Sequence, residues 1–145
     1  MTKRGLLGQL VLYAVLDLFC AALGMGVPVL CIALGLPTGW RIARVLRLAD
    51  RPVAEALARV LVWAALTSGF TLVIMAVLWG RSLSLLFDRT FDLASFGMPL
   101  ILFEPRPSFI AWLGLMIVVS PALQFLVTVF GAHVALMRAA SAGRR

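Results

Sequence analysis

The sequence predicts an all-α integral membrane protein, a small bundle of four transmembrane helices whose first two form a tight hairpin. Three observations predict it. Hydrophobic residues make up 63% of the 145 and charged residues 13%, where soluble domains carry about 25% charged. Three apolar stretches, 5–39, 60–80 and 108–137, each reach the roughly 18–20 residues that cross about 30 Å of hydrocarbon. The basic residues stand at the ends of these runs, where positive-inside retention places them. A chain with a mean hydropathy of +1.06 cannot hide so much apolar surface in one small aqueous core. The net charge of +7 is therefore a topology signal, and nucleic acid is not expected as a partner.

The first stretch, 5–39, is long enough to cross once as a kinked helix or twice as a hairpin. Charge decides between three spans and four. A single crossing leaves Lys3, Arg4, Arg81, Arg89 and Arg106 on one side, against Arg41, Arg44, Arg47, Arg51, Arg138, Arg144 and Arg145 on the other. A double crossing collects the N-terminus, the 40–59 segment and the C-terminus on one side. The opposite loop then keeps only Arg81, Arg89 and Arg106, offset by Asp88, Asp92 and Glu104. The positive-inside rule favours the double crossing, with both termini cytoplasmic in a cell membrane.

The spans then fall at about 6–23, 28–45, 58–79 and 109–136, within one domain over 1–145. Helix one ends at Gly24-Met25-Gly26, where glycine suits a turn, and Pro28 suits the first turn of helix two. Pro37 is expected to kink or break helix two. Trp40 marks its inner interface, and Arg41, Arg44 and Arg47 reach toward anionic lipid headgroups. Before helix three, Asp50 reads as an N-cap and Pro52 as a first-turn residue, and Glu55 pairs with Arg59 four on. The outer loop, 80–107, carries Leu83, Leu86, Phe87 and Phe91 at helical spacing, which predicts an interfacial amphipathic helix. Phe87, Phe91, Phe96, Phe103 and Phe109 make this outer side a contact surface for partners. Ser108 reads as the cap of helix four, with a bend at Pro121.

Lys3 and Arg4 before an apolar run resemble a signal peptide. Asp17-Leu18-Phe19 before Cys20 is a poor lipoprotein box, and no small-x-small site follows, so the segment is expected to be retained. Cys20 and Cys31 flank the predicted turn at similar depth and are read as small apolar residues.

Polar residues inside apolar runs are informative, because in lipid each needs a partner. Gln9, Tyr13 and Asp17 are four apart on helix one. Ser120, Gln124 and Thr128 are four apart on helix four. Ala64, Ser68, Thr71 and Met75 form a third small or polar face on helix three. These faces are expected to meet, with Thr71 near the level of Asp17. A charged aspartate at mid-helix costs about 2.5–3.5 kcal/mol on insertion scales. The candidate intramembrane polar site is therefore Asp17, Tyr13, Gln9, Thr71, Ser120, Gln124 and Thr128. It serves either as glue between helices or as a path for a proton or small solute. His133 falls near the inner interface, and Glu104 in the outer loop.

No catalytic motif is present: no G-x-S-x-G, no H-E-x-x-H, no phosphate loop and no dinucleotide fingerprint. Six acidic residues and one histidine, spread over both ends, do not assemble a metal or acid–base site. No cofactor is expected. The function expected is that of a non-catalytic accessory or scaffold subunit that packs against other membrane subunits or copies of itself. A transport component using Asp17 is the alternative, since no inverted repeat marks a stand-alone transporter. A lipid-modifying activity is the form an enzyme of this composition would take.

Overall fold

Long apolar runs without charges hydrogen-bond most completely as helices, and four helices follow the runs. The computed structural model describes residues 3–24, 27–46, 48–88, 92–93 and 102–142, with backbone alone at 3–6 and 49. Helix α1 spans Lys3–Leu23, α2 Val29–Val45 and α3 Val53–Gly80. Helix α4 spans Pro105–Ala142, with a π-helical turn over Leu115–Val119. No strand occurs among the described residues. Two helical stretches are long and apolar enough to cross a membrane, Val53–Leu86 and Pro105–Ala142, and Leu7–Leu23 is a shorter apolar helix.

Between α1 and α2 the chain reverses. The Gly24 N–H donates to Cys20 O at 2.9 Å and the Val27 N–H to Gly24 O at 2.8 Å. A Cβ on Gly24 would fall on the Val27 carbonyl oxygen, so this turn requires glycine there. Met25 and Gly26 lie outside the described residues. The two helices then pack antiparallel: Cys31 Sγ donates to Asp17 O at 3.7 Å near the turn, and Arg41 Nε to Gln9 Oε1 at 2.7 Å far from it.

Tyr13 and Asp17 meet Thr67 and Thr71, so α1 runs alongside α3 in the same direction. Gly35 and Gly39 of α2 meet Gln124, Thr128 and Ala132 of α4 in the same order, so these two run together the opposite way. The bundle is up-down-up-down. The first turn of α1, the end of α2, the start of α3 and the end of α4 share one end, with Arg41, Arg44, Arg51, Arg59 and Arg138. Arg81, Glu104 and Arg106 lie at the other end, around the end of α3 and the start of α4. Arg47, Arg89, Arg144 and Arg145 lie outside the described residues.

The most extensive interface is α2 against α4, and it is built from small residues. Cys31, Gly35, Gly39 and Ala43 recur every four residues and are all buried. Small residues at this spacing let helix backbones approach closely. A Cβ at Gly35 would sit 2.9 Å from both Gln124 O and Thr128 Oγ1, and one at Gly39 would fall on Thr128 O. Facing them, a Cβ at Gly131 would strike the Leu36 carbonyl. An apolar cluster of Ala43, Leu48, Ala56, Val60, Ala132 and Ala135 fills the basic end. There the Arg138 guanidinium lies over Trp40, 4.9 Å from the ring centroid. At the far end Trp79 meets Trp112 edge-on at 4.4 Å, and Arg106 Nη2 donates to Leu86 O at 2.8 Å.

Several element ends differ from the sequence reading. Asp50 is not a cap: it closes a 3₁₀ turn over Leu48–Asp50, and Pro52, extended at φ −54° and ψ 139°, stands at the N-cap. Glu55 in the first turn of α3 binds Arg59 at 2.8 Å and also Arg51 at 2.5 Å. Chiefly the Arg59 bond holds its carboxyl below the usual carboxylate range. Ser108 does not cap α4 from outside, because the helix already starts at Pro105, with Glu104 at the N-cap. Its hydroxyl folds back, donating to Leu102 O and accepting from Leu102 N–H, both at 2.8 Å. Arg81–Leu86 continues α3 as a 3₁₀ stretch, and residues 89–91 of the expected interfacial helix lie outside the described residues. Phe91 and Phe96 lie outside the described residues.

Both interior prolines are accommodated. Helix α2 runs unbroken through Pro37, where the neighbouring Thr38 hydroxyl donates to Leu34 O at 2.7 Å. Pro121 is preceded by the π turn, in which Ser120 N–H bonds Leu115 O. The widened turn takes up what a proline ring would otherwise do to the preceding carbonyls.

The seam gives a direct test. Gly39→Ala places a methyl on the Thr128 carbonyl and should destabilise the bundle by about 1–3 kcal/mol or more. Gly69→Ala, where a Cβ meets nothing within 4 Å, should be neutral or stabilising by about 0.5–1 kcal/mol. Unfolding in detergent–lipid micelles, followed by helical circular dichroism, measures both.

Candidate functional site: a buried polar chain

Helical spacing turns the polar stripe of α1 inward, and the inward side chains find partners on two other helices. Thr71 Oγ1 donates to Asp17 Oδ2 at 2.7 Å. The Tyr13 hydroxyl lies 2.9 Å from Thr71 Oγ1 and 3.2 Å from Thr67 O. Gln124 Nε2 donates to the Tyr13 hydroxyl. A continuous chain, Gln124–Tyr13–Thr71–Asp17, therefore joins α4, α1 and α3. All four are buried, Asp17 completely. Thr67 supports the chain from α3, with its own hydroxyl satisfied by Trp63 O at 2.9 Å, and Phe70 lies edge-on to the Tyr13 ring. Two buried atoms have no partner among the described residues: Asp17 Oδ1 and Gln124 Oε1.

Of the seven residues singled out from sequence, four form this chain and three stand elsewhere. Ser120 is buried, but its hydroxyl donates to Leu115 O inside the π turn. Thr128 likewise donates to Gln124 O in its own helix at 2.8 Å, and its side chain faces Gly35 across the seam. Hydroxyls satisfy themselves on carbonyls of their own helix, four residues back in an α-turn as at Thr128 and five in the π turn as at Ser120. Gln9 lies nearer the basic end, bonded to Arg41. Of the arginines read as headgroup contacts, Arg41 is thus tied to α1, Arg44 is exposed, and Arg47 lies outside the described residues. Cys31, read as an apolar spacer, bonds the Asp17 carbonyl; both cysteines are free.

A cleft of about 60 Å³ opens between α1, α2 and α3, lined by Gln9, Leu12, Tyr13, Leu16, Thr38, Arg41, Ile42, Val45, Leu46, Trp63 and Thr67. Gln9, Arg41 and Tyr13 all line it, so the polar chain borders the cleft at Tyr13. On the other side of Asp17, toward the hairpin turn, Ala21, Cys31 and Met75 form an apolar plug, backed by Cys20, Ile74 and Trp79. His133 belongs to neither. It lines a separate open groove of about 580 Å³ with Asp50 and Arg51, between the start of α3 and the end of α4. Among the described residues, no three His, Cys, Asp or Glu side chains cluster to hold a metal ion.

Sequence reasoning missed the role of α2. Its Cys31-Gly35-Gly39-Ala43 face was legible as a four-residue repeat of small side chains, a signal as strong as the polar stripe of α1. No protein-family model matches the chain, and neither a curated protein nor a solved structure matches it.

Proposed function

We propose that the chain is a multi-pass membrane protein of four spanning helices that acts as a non-catalytic accessory or scaffold subunit. One observation carries this reading: long apolar side chains stand on the outside of every helix, while polar Asp17, Thr67, Thr71, Gln124 and Thr128 lie inside, among buried apolar residues such as Ala64, Met75 and Phe109. Leu7 is 63% exposed, Val29 64%, Val77 67% and Phe130 60%. Such a surface is at home among lipid tails or neighbouring helices. The basic end faces the cytoplasm, where arginine-rich helix ends meet anionic headgroups. The buried polar chain ties α1 to α3 and α4 and so sets the helices in register. What the molecule offers to others is its outer surface.

A second reading, a proton-handling component, is supported by the chain from Gln124 to Asp17 and by the unpartnered Asp17 Oδ1.

Two measurements test the proposal. Extracted from its native membrane in mild detergent, the protein should run at a discrete mass above that of one 15.7 kDa chain in its micelle. Recovery only as a lone monomer contradicts the accessory role. In a Cys20→Ala, Cys31→Ala background, a Val27→Cys variant should react in intact cells with a membrane-impermeant thiol reagent. Labelling of that cysteine only after the cells are opened contradicts the four-span threading.

A further inference from the structure

Locking helices together does not account for Asp17. An ionised carboxylate offers about four acceptor sites, and here one is used. Oδ2 accepts from Thr71, and Oδ1 has no partner among the described residues. The titratable groups that face it are Tyr13 and Cys20 on its own helix and Cys31 on α2; α3 presents Thr71 and α4 presents Gln124. None of these is a cation. As a neutral acid Asp17 donates and accepts as an asparagine would, and as a carboxylate it only accepts. What a carboxyl adds to the asparagine repertoire is a proton that can come and go.

We propose that Asp17 is a proton-binding site, filled and emptied from the arginine-bearing end of the bundle through Tyr13 and Thr71. The cleft on that side has space for a few water molecules at about 10–15 Å³ of such volume each, and Tyr13 is one of the residues that line it. With Asp17 ionised, the Tyr13 O–H points at Thr71 and the Thr71 O–H at Oδ2. A hydronium ion in the cleft gives its proton to the Tyr13 oxygen and leaves as water. The Tyr13 proton passes to the Thr71 oxygen, and the Thr71 proton passes to Oδ2. The Tyr13 and Thr71 oxygens each exchange one O–H bond for another, no bond between heavy atoms breaks, no electron is lost or gained, and the carboxylate becomes a neutral acid.

The chain now points the other way, Asp17 O–H to Thr71 to Tyr13. The Gln124 amide suits both directions. Its NH₂ donates to Tyr13 in the first, and after a half-turn its Oε1, unpartnered in the first, accepts the Tyr13 proton. A buried amide whose oxygen and nitrogen take their places from the network can fill either role. Beyond Asp17, among the described residues, the plug of Ala21, Cys31 and Met75 carries no hydroxyl or amide to continue the path. The site therefore exchanges with one side only, and it senses the proton activity of that side without conducting. This inference rests on the membrane reading of the bundle and not on the accessory role.

The full chain reconstituted in phosphatidylcholine–phosphatidylglycerol vesicles allows the test by infrared difference spectroscopy. The wild type should show the carbonyl band of a protonated carboxylic acid that rises and falls reversibly with pH and is missing from Asp17→Asn. Its hydrogen–deuterium exchange should slow by about a hundredfold in Thr71→Val, the scale of a lost positioned proton carrier, and recover in Thr71→Ser. If the valine variant does not fold, Tyr13→Phe, which keeps the ring, should show the same slowing. No such band at any neutral pH, or exchange unchanged in a folded Thr71→Val or Tyr13→Phe, overturns the proposal. Failure of the membrane reading shows separately, as fast amide exchange along α3 in the wild type.

Discussion

The Tyr13 hydroxyl is the point at which three helices meet. From α1 it reaches Thr67 and Thr71 on α3 and Gln124 on α4. In apolar surroundings an unmade hydrogen bond has no water to replace it, so each of these groups constrains the others. A helix turns by about 100° per residue. Slipping α1 by one residue would swing Tyr13 and Asp17 away from α3 and leave several buried polar groups unmatched. The register of the bundle follows from that constraint, and so does the depth of Asp17, one turn from Tyr13 toward the hairpin.

Close approach is the second requirement, and glycine meets it. The α2–α4 seam brings the backbone of Gly39 against the Thr128 carbonyl and that of Gly131 against Leu36. This contact packs the two helices backbone against backbone. Polar groups select the arrangement and small residues hold it tight. Helix α1, open on most of its outer side, joins this frame through the glycine turn at Gly24, the Arg41–Gln9 bond and the polar chain. It is the helix with least apolar contact and most polar specification.

Much of this was legible in the sequence, for identifiable reasons. Charge distribution pointed to a reversal at Gly24, because that threading leaves only Arg81, Arg89 and Arg106 at the far end, and the chain does reverse there. Spacing of four turned Tyr13, Asp17 and Gln124 to the interior, and depth matching paired Asp17 with Thr71. What spacing could not tell was whether a hydroxyl looks across to a neighbour or back along its own helix. Ser120 and Thr128 look back, to Leu115 and Gln124. Helix starts were misjudged at Asp50 and Ser108 because a proline set each boundary by its backbone alone, Pro52 at the N-cap of α3 and Pro105 as the first residue of α4. The small-residue face of α2 went unread because attention to polar groups passes over glycine and alanine, whose part is to leave space.

The account stands on the Tyr13 hydroxyl binding α1 to α4 as well as to α3. A double-mutant cycle of Tyr13→Phe and Gln124→Met, with unfolding measured in lipid–detergent micelles, isolates that bond. Interhelical hydrogen bonds in membranes couple by about 0.6 kcal/mol on average and up to roughly 1.7, and a favourable coupling in that range is the predicted result. Strictly additive effects of the two substitutions would mean that the helices do not meet through this hydroxyl, and would contradict the account.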